Sequence, residues 1–217
     1  MANISIHRIG KALGLYVAEK ISKTEQAEYL SYGAEILIGS IVKLSILFIT
    51  ATVLGILHEV AVLLIITGLV RTFSGGAHCS AYYRCLIASV IILTLLGYTS
   101  KATYSIVKHF PISALIIMTA LSTYIYWRYA PQAPHNKPFN SRRQELVLRY
   151  ITLFSVSILS IISVVFATSS IIAWAIAIGL LWQAFTLTPV GHSFIGKIDL
   201  LLTPHKRGGE ADGSVHS

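Results

Sequence analysis

Long apolar runs separated by short polar clusters set the pattern of this chain. The runs cover residues 33–57, 60–70, 82–98, 112–126, 150–168 and 171–187, and within them apolar side chains follow one another without alternation. A membrane β-barrel needs strands of about ten residues that alternate in polarity, so continuous runs predict helices instead. About 20 helical residues cross a hydrocarbon core near 30 Å. The run at 60–70 is the short one. Its eleven residues make only about 16 Å of helix, so it must borrow flanking residues, thin the bilayer or end inside it.

Ahead of the first run, Ile6, Ile9, Leu13, Val17 and Ile21 recur at helical spacing, while Arg8, Lys11, Lys20 and Lys23 fall on other faces. That pattern predicts an amphipathic helix within residues 1–32, lying in the headgroup region or solvated beside it. The segment lacks the short apolar core and small-residue cleavage site of a signal peptide and is expected to be retained. At the other end GGEADGSVHS reads as a disordered tail over residues 206–217, which leaves residues 1–205 as one membrane-embedded domain.

Composition sharpens this picture. The chain has 217 residues, 54% of them hydrophobic and only 12% charged, against about 25% charged in soluble domains, and its mean hydropathy is +0.70. The expected fold is an all-α polytopic membrane bundle of about six spanning or re-entrant helices. The net charge of +8 is not read as nucleic-acid binding, because no basic stripe lies on a soluble fold. It fits the positive-inside rule. With six spans and both termini in the cytoplasm, fourteen of the seventeen Lys and Arg residues fall on the inner side. The polar segments at residues 71–85 and 128–145 then share that cytoplasmic face.

The first of these segments reads RTFSGGAHCSAYYRC and holds the chain's only two cysteines. Nucleophilic catalysis needs an activatable side chain beside a base, and His78 and Cys85 are the candidates, with Cys79 as a rival thiol. Seven residues of unbroken helix return to nearly the same face but rise about 10.5 Å, whereas proton transfer needs a separation near 3 Å. Pairing therefore requires a break in the helix. Gly75 and Gly76 supply the conformational freedom just upstream, which predicts His78 on a loop folding back toward Cys85 at the start of the third span. Helix-end dipoles and Arg84 would favour a Cys85 thiolate, and burial would oppose it. The same residues also admit a purely structural role, with Gly-Gly allowing close packing, the cysteines as small fillers and His78 bonded to a backbone carbonyl. Spacing alone leaves both roles open.

Other chemistries fit less well. His-Cys followed six residues later by Cys is not a familiar zinc arrangement, and neither metal nor cofactor is expected. LHEVAV lacks the second histidine of a zinc protease, no G-x-S-x-G occurs, and both aspartates, Asp199 and Asp212, lie outside the apolar runs. A disulfide between Cys79 and Cys85 is not expected on a reducing face.

Taken together, RTFSGGAHCSAYYRC and YAPQAPHNKPFNSRRQE resemble the two signature regions of the AgrB (accessory gene regulator B) family, membrane endopeptidases of peptide quorum sensing. YGAEIL and LHEVAVLL are similar to the family pattern as well, so the resemblance covers roughly residues 30–190. It places the family's Arg, Gly-Gly, His and Cys on Arg71, Gly75, Gly76, His78 and Cys85, and its P-x-x-N-K-P region on Pro134, Asn136, Lys137 and Pro138. Gln132 and His135 stand where relatives often carry an acidic residue. The resemblance implies a substrate of the AgrD type, a small precursor with an amphipathic leader, a short signal segment containing Cys or Ser, and an acidic tail. It implies cleavage by Cys85 with His78 as base, closure of a thiolactone or lactone through an acyl-enzyme, and a homodimer in the bacterial cytoplasmic membrane. Around that dyad, backbone N–H groups from Gly75 to Ala77 are expected to form an oxyanion hole. Arg71, Lys137, Arg142 and Arg143 are expected either to attract the acidic tail or only to fix topology. Lys43, inside the first span, is expected to face the bundle or a wet cavity and to line the peptide cleft. A transporter built on Lys43, Glu35 and Glu59, or a non-catalytic peptide-binding protein, is the competing reading.

Overall fold

Polar breaks and glycines decide where each apolar helix ends. The computed structural model describes residues 6–22, 24–107, 111–133, 139–166 and 171–203. Among these the chain is helical without strands: α1 (Ile6–Lys20), a 3-10 turn (Thr24–Gln26), α2 (Ala27–Val53), α3 (Leu57–Ser74), α4 (Tyr82–Val107), α5 (Pro111–Tyr129), α6 (Arg142–Val165), α7 (Ile171–Phe185) and α8 (Pro189–Leu201). The tail expected to be disordered and residues 134–138 lie outside the described residues.

The amphipathic N-terminal stretch folds as α1 turned back along the first turns of α2. Gly10 and Gly14 set the approach, since a Cβ on Gly10 would come within 2.8 Å of Glu35 Cα. At its far end α2 turns into α3 through Gly55, at φ 65°, whose carbonyl accepts a hydrogen bond from Lys101 Nζ at 2.7 Å. The short apolar run resolves by borrowing its flanks. α3 takes in Leu57, His58 and Glu59 ahead of it and Arg71 to Ser74 behind it, reaching 18 residues, about 27 Å of helix.

Small residues make α7 the central helix. Ala173, Ala175, Ala177, Gly179 and Ala184 are all buried on it, which lets neighbours approach closely. Leu63 and Ile66 of α3 lie where a Cβ on Gly179 would meet them at 3.3 and 3.4 Å. Two polar groups beside α7 are paired: the buried Tyr126 hydroxyl donates to the Leu180 carbonyl at 3.2 Å, and Ser163 donates to Ala173 at 2.7 Å. The outer faces are apolar and open, with Leu37, Ile49, Ile65, Ile117, Phe154 and Ile161 largely exposed. Water would not tolerate so continuous an apolar surface, and lipid does. Among the described residues four helices, α2, α3, α4 and α6, are long and apolar enough to cross a membrane. α7 and α8 together make a fifth candidate, bent by 86°. α5 packs in the bundle but falls outside that set.

The last apolar run, read as 171–187, ends close to this bend, and the helix beyond it is what the sequence reading left out. α7 stops at Phe185, and Thr188 caps a new helix by accepting from Gly191 N–H at 3.0 Å, with Pro189 in the first turn. Proline suits that position because its missing N–H has no helical partner to lose. The Thr-Pro pair was the available signal.

Candidate active site

The opening between α3 and α4 is built on two glycines. Gly75 and Gly76 take φ of 72° and 126°, values that disfavour a side chain. Space forbids one as well. A Cβ on Gly75 would run into the Gln132 carbonyl, and one on Gly76 would stand 2.8 Å from Thr186 Oγ1. The helix therefore breaks over residues 75–81, a stretch that holds His78 and parts it from the helix carrying Cys85, and Cys85 sits in the first turn of α4 with its N–H bonded to Ala81 O at 3.1 Å.

Residues far along the chain hold this loop. Gln183, buried on α7, donates to the Gly75 carbonyl at 2.9 Å and to Ser74 Oγ at 3.3 Å. Ala77 N–H donates to Thr186 O at 3.1 Å, and Gln132 N–H to Ser74 O at 2.9 Å. The Gln132 amide donates to Leu187 O at 2.7 Å and meets His192 Nε2 at 2.9 Å through its oxygen. From α8, Asp199 accepts from Ser80 N–H at 3.2 Å and Ser80 Oγ at 2.8 Å, and forms an ion pair with Arg84 at 3.1 Å. Sequence reasoning set Asp199 aside and passed over Gln183, Thr186, Ser80 and His192. Gln183, a lone amide in an otherwise apolar helix, was the legible one.

These bonds bear on the expected oxyanion hole. The Gly75 N–H is committed to Arg71 O and the Ala77 N–H to Thr186 O, because the loop must satisfy its own backbone where it is packed. In this conformation two of the three expected amides point into the protein.

A cavity of about 400 Å³ lies beneath the loop, and Lys43, Arg71, His78, Cys79, Cys85 and Gln183 are among its walls. His78 and Cys85 face it without a hydrogen bond between them. Arg71 instead donates to His78 Nδ1 at 3.0 Å and to the Ala77 carbonyl. Arginine only donates, so Nδ1 is the accepting nitrogen and a neutral ring carries its proton on Nε2. Although one edge of His78 reaches solvent, desolvation against the wall, then Arg71, then His192 push its pKa down to about 4. The ring is neutral at physiological pH.

The two thiols differ in surroundings. Cys79 is pushed up to about 11, first by burial, then by negative charge at Cys85 and Asp199, and by a side-chain hydrogen bond with Cys85, with Arg84 opposing. Arg71 is within electrostatic reach of both thiols, and Lys43 of Cys85. On the other side of Arg71 and His78 a second cavity, about 310 Å³, is walled by Gln132, Phe139, Asn140 and Gln144. Arg142 and Arg143 are exposed on the first turn of α6 and line neither of these two cavities. Lys137 lies outside the described residues, and no group of three His, Cys, Asp or Glu among those described is placed to hold a metal ion.

Comparison with known proteins places this arrangement. An AgrB-like protein of Clostridium perfringens strain SM101 is 26% identical over 203 residues, covering 86% of this chain and 95% of the relative. The accessory gene regulator protein B of Staphylococcus aureus strain MRSA252 is 29% identical over 163 residues, covering 74% of this chain and 82% of the relative. No solved structure matches. The family model described as Accessory gene regulator B matches residues 9–187, a span that takes in the loop, α7 and all the cavity walls except Ile195, and the chain belongs to the AgrB family.

Proposed function

We propose that this protein is a membrane cysteine endopeptidase that removes the acidic tail of an AgrD-type precursor in quorum sensing and closes the remaining segment into a thiolactone or lactone. The observation that carries the reading is the asymmetry of the two thiols in one cavity. Cys79 is kept protonated, first by burial and then by negative charge that includes Asp199, while Lys43 on the wall of the same cavity is within electrostatic reach of Cys85. Cations favour the thiolate, and the thiolate is the nucleophile.

In this mechanism the precursor's acidic tail draws Arg71 away from His78, which frees Nδ1 and withdraws a positive charge that opposes protonation of the ring. His78 takes the Cys85 proton as the sulfur attacks the carbonyl at the end of the signal segment. The C–N bond breaks, the leaving amine receives that proton, and a thioester joins the segment to Cys85. An internal Cys or Ser of the substrate then attacks the thioester, releasing Cys85 as the ring closes. Holding acyl group and nucleophile together lets closure outrun hydrolysis. The Gly76 amide, with Gly75 and Ala77 shaping the turn around it, supports the developing oxyanion once the loop adjusts. Lys43 serves the signal-segment side, Arg71 the tail, and Lys137, Arg142 and Arg143 attract the tail from the cytoplasmic surface, where both termini also lie.

The test is incubation of the purified protein in lipid vesicles with such a precursor, read by mass spectrometry. Wild type yields the free tail and a dehydrated ring, and a variant slow in ring closure accumulates precursor joined to Cys85. Cys85→Ala leaves the precursor intact. Cleavage that survives Cys85→Ala and disappears in Cys79→Ala reverses the assignment, and intact precursor with wild type leaves the transporter or binding-protein reading.

A further inference from the structure

The function proposed above uses one thiol, yet the cavity holds two, both free and both half-buried. On an unbroken helix, residues six apart would stand about 9 Å apart along the axis and on different faces, too far for a disulfide, whose Cα atoms lie about 4.4–6.8 Å apart. Here the break at Gly75 and Gly76 puts Cys79 on the loop and Cys85 in the first turn of α4, with both side chains on the wall of one cavity and close enough to interact. The loop backbone at Cys79 is not part of a helix, so its sulfur can move toward a partner fixed by α4.

We propose that Cys79 is a resolving thiol: a hydroperoxide entering the cavity oxidises Cys85, and Cys79 then closes a reversible Cys79–Cys85 disulfide that switches the site off. The Cys85 thiolate attacks the peroxide, the O–O bond breaks, and the departing oxygen leaves as an alcohol or water after taking a proton. Cys85 is now a sulfenic acid. Cys79 loses its proton and attacks that sulfur, the S–O bond breaks, and a second water leaves. One peroxide is reduced and two thiols are oxidised. A dithiol reverses the step by exchange. The anion at Cys85 is one of the influences that keep Cys79 protonated; converting it to a neutral sulfenic acid lifts that influence at the moment Cys79 must react. Without a second thiol at hand, Cys85 would continue to the irreversible sulfinic acid. The cytoplasm's reducing poise accounts for the resting thiols and supplies the reversal.

This proposal rests on Cys85 being the nucleophile, and its test separates the two. The protein in lipid vesicles is treated with hydrogen peroxide, free thiols are blocked with N-ethylmaleimide, and tryptic peptides are analysed by mass spectrometry. Cleavage after Arg84 puts the cysteines on different peptides. The expected result is a cross-linked pair lighter by two hydrogens, with loss of precursor cleavage that dithiothreitol restores. Cys79→Ser, or Cys79→Ala where serine is not tolerated, should lose cleavage under peroxide in a form dithiothreitol does not restore, with Cys85 recovered as sulfinic acid. Peroxide that modifies Cys85 without any cross-linked pair overturns the resolving role. A pair that forms while cleavage persists overturns the switch and, separately, shows that the nucleophile lies elsewhere.

Discussion

Arg84 and Asp199, 115 positions apart, form a partly buried ion pair at 3.1 Å, with each side chain only 15% accessible. Arg84 also donates to the Asp199 carbonyl at 3.2 Å and to Thr203 Oγ1 at 2.7 Å. Through this contact α8 holds the first turn of α4, where Cys85 sits, and through Ser80 it holds the loop beside Cys79. Removing Asp199 leaves a sequestered guanidinium without its counter-charge. Asp199→Ala should lower stability by about 3 kcal/mol and depress precursor cleavage, measured by thermal unfolding in detergent and by tail release. Cleavage and melting unchanged from wild type would show the clamp to be dispensable.

The low pKa of His78 gives a signed pH dependence. Below its ordinary 6.5 the unfolded chain takes up a proton that the folded ring, at about 4, refuses, so stability is level above pH 6.5 and declines as pH falls from 6.5 toward 4. His78→Gln should remove that slope from melting curves. The charged or titratable neighbours opposing protonation are Arg71 and His192. If substrate withdraws Arg71, the acid limb of kcat/KM should lie near 4 and that of kcat higher, because the first reports the free enzyme and the second the complex.

Lys43 is an ionisable group on a membrane-spanning helix that shares the cavity of Cys85. Lys43→Met should slow iodoacetamide labelling of Cys85 at neutral pH, because a nearby cation favours the reactive thiolate. Lys43→Arg should keep most of the rate. Equal rates in wild type and Lys43→Met would remove Lys43 from the activation of Cys85.

Gly75→Ala and Gly33→Ala should move stability in opposite directions. At Gly75 the positive φ and the Gln132 carbonyl both reject a Cβ, at a cost of about 1–3 kcal/mol, and the shift would disturb the Gln132 bond to Ser74 as well. At Gly33 nothing lies within 4 Å of the added carbon, and alanine gains about 1 kcal/mol of helix propensity. Thermal unfolding of the two variants checks the sign.

Particular residues show what could be read early. Gly75 and Gly76 announced a break because glycine is the residue that takes the backbone values found there. Lys43 announced a cavity because an isolated ammonium on a spanning helix needs polar company. Arg71 was expected to meet substrate, and its bond to His78 Nδ1 was not foreseen, since nothing in a seven-residue spacing says which nitrogen the guanidinium will reach. Arg142 and Arg143, grouped with the site by charge, stand on an exposed helix start outside both cavities.

The order of residues alone determined that this chain is a helical membrane protein, that its reactive side chains gather at one break, and that it resembles the AgrB family. Those conclusions depend on transfer of side chains into lipid, on helical periodicity and on local backbone freedom, all set within a few turns. Tertiary packing decided the rest: that α7 becomes the central post, that the chain turns by 86° after it, and that Asp199 reaches Ser80 across 119 residues. It also decided that Cys79 stands near the Asp199 carboxylate while Lys43 reaches Cys85. Such pairings follow from how whole helices cross and at what angle, and a linear pattern of polar and apolar residues leaves those angles free.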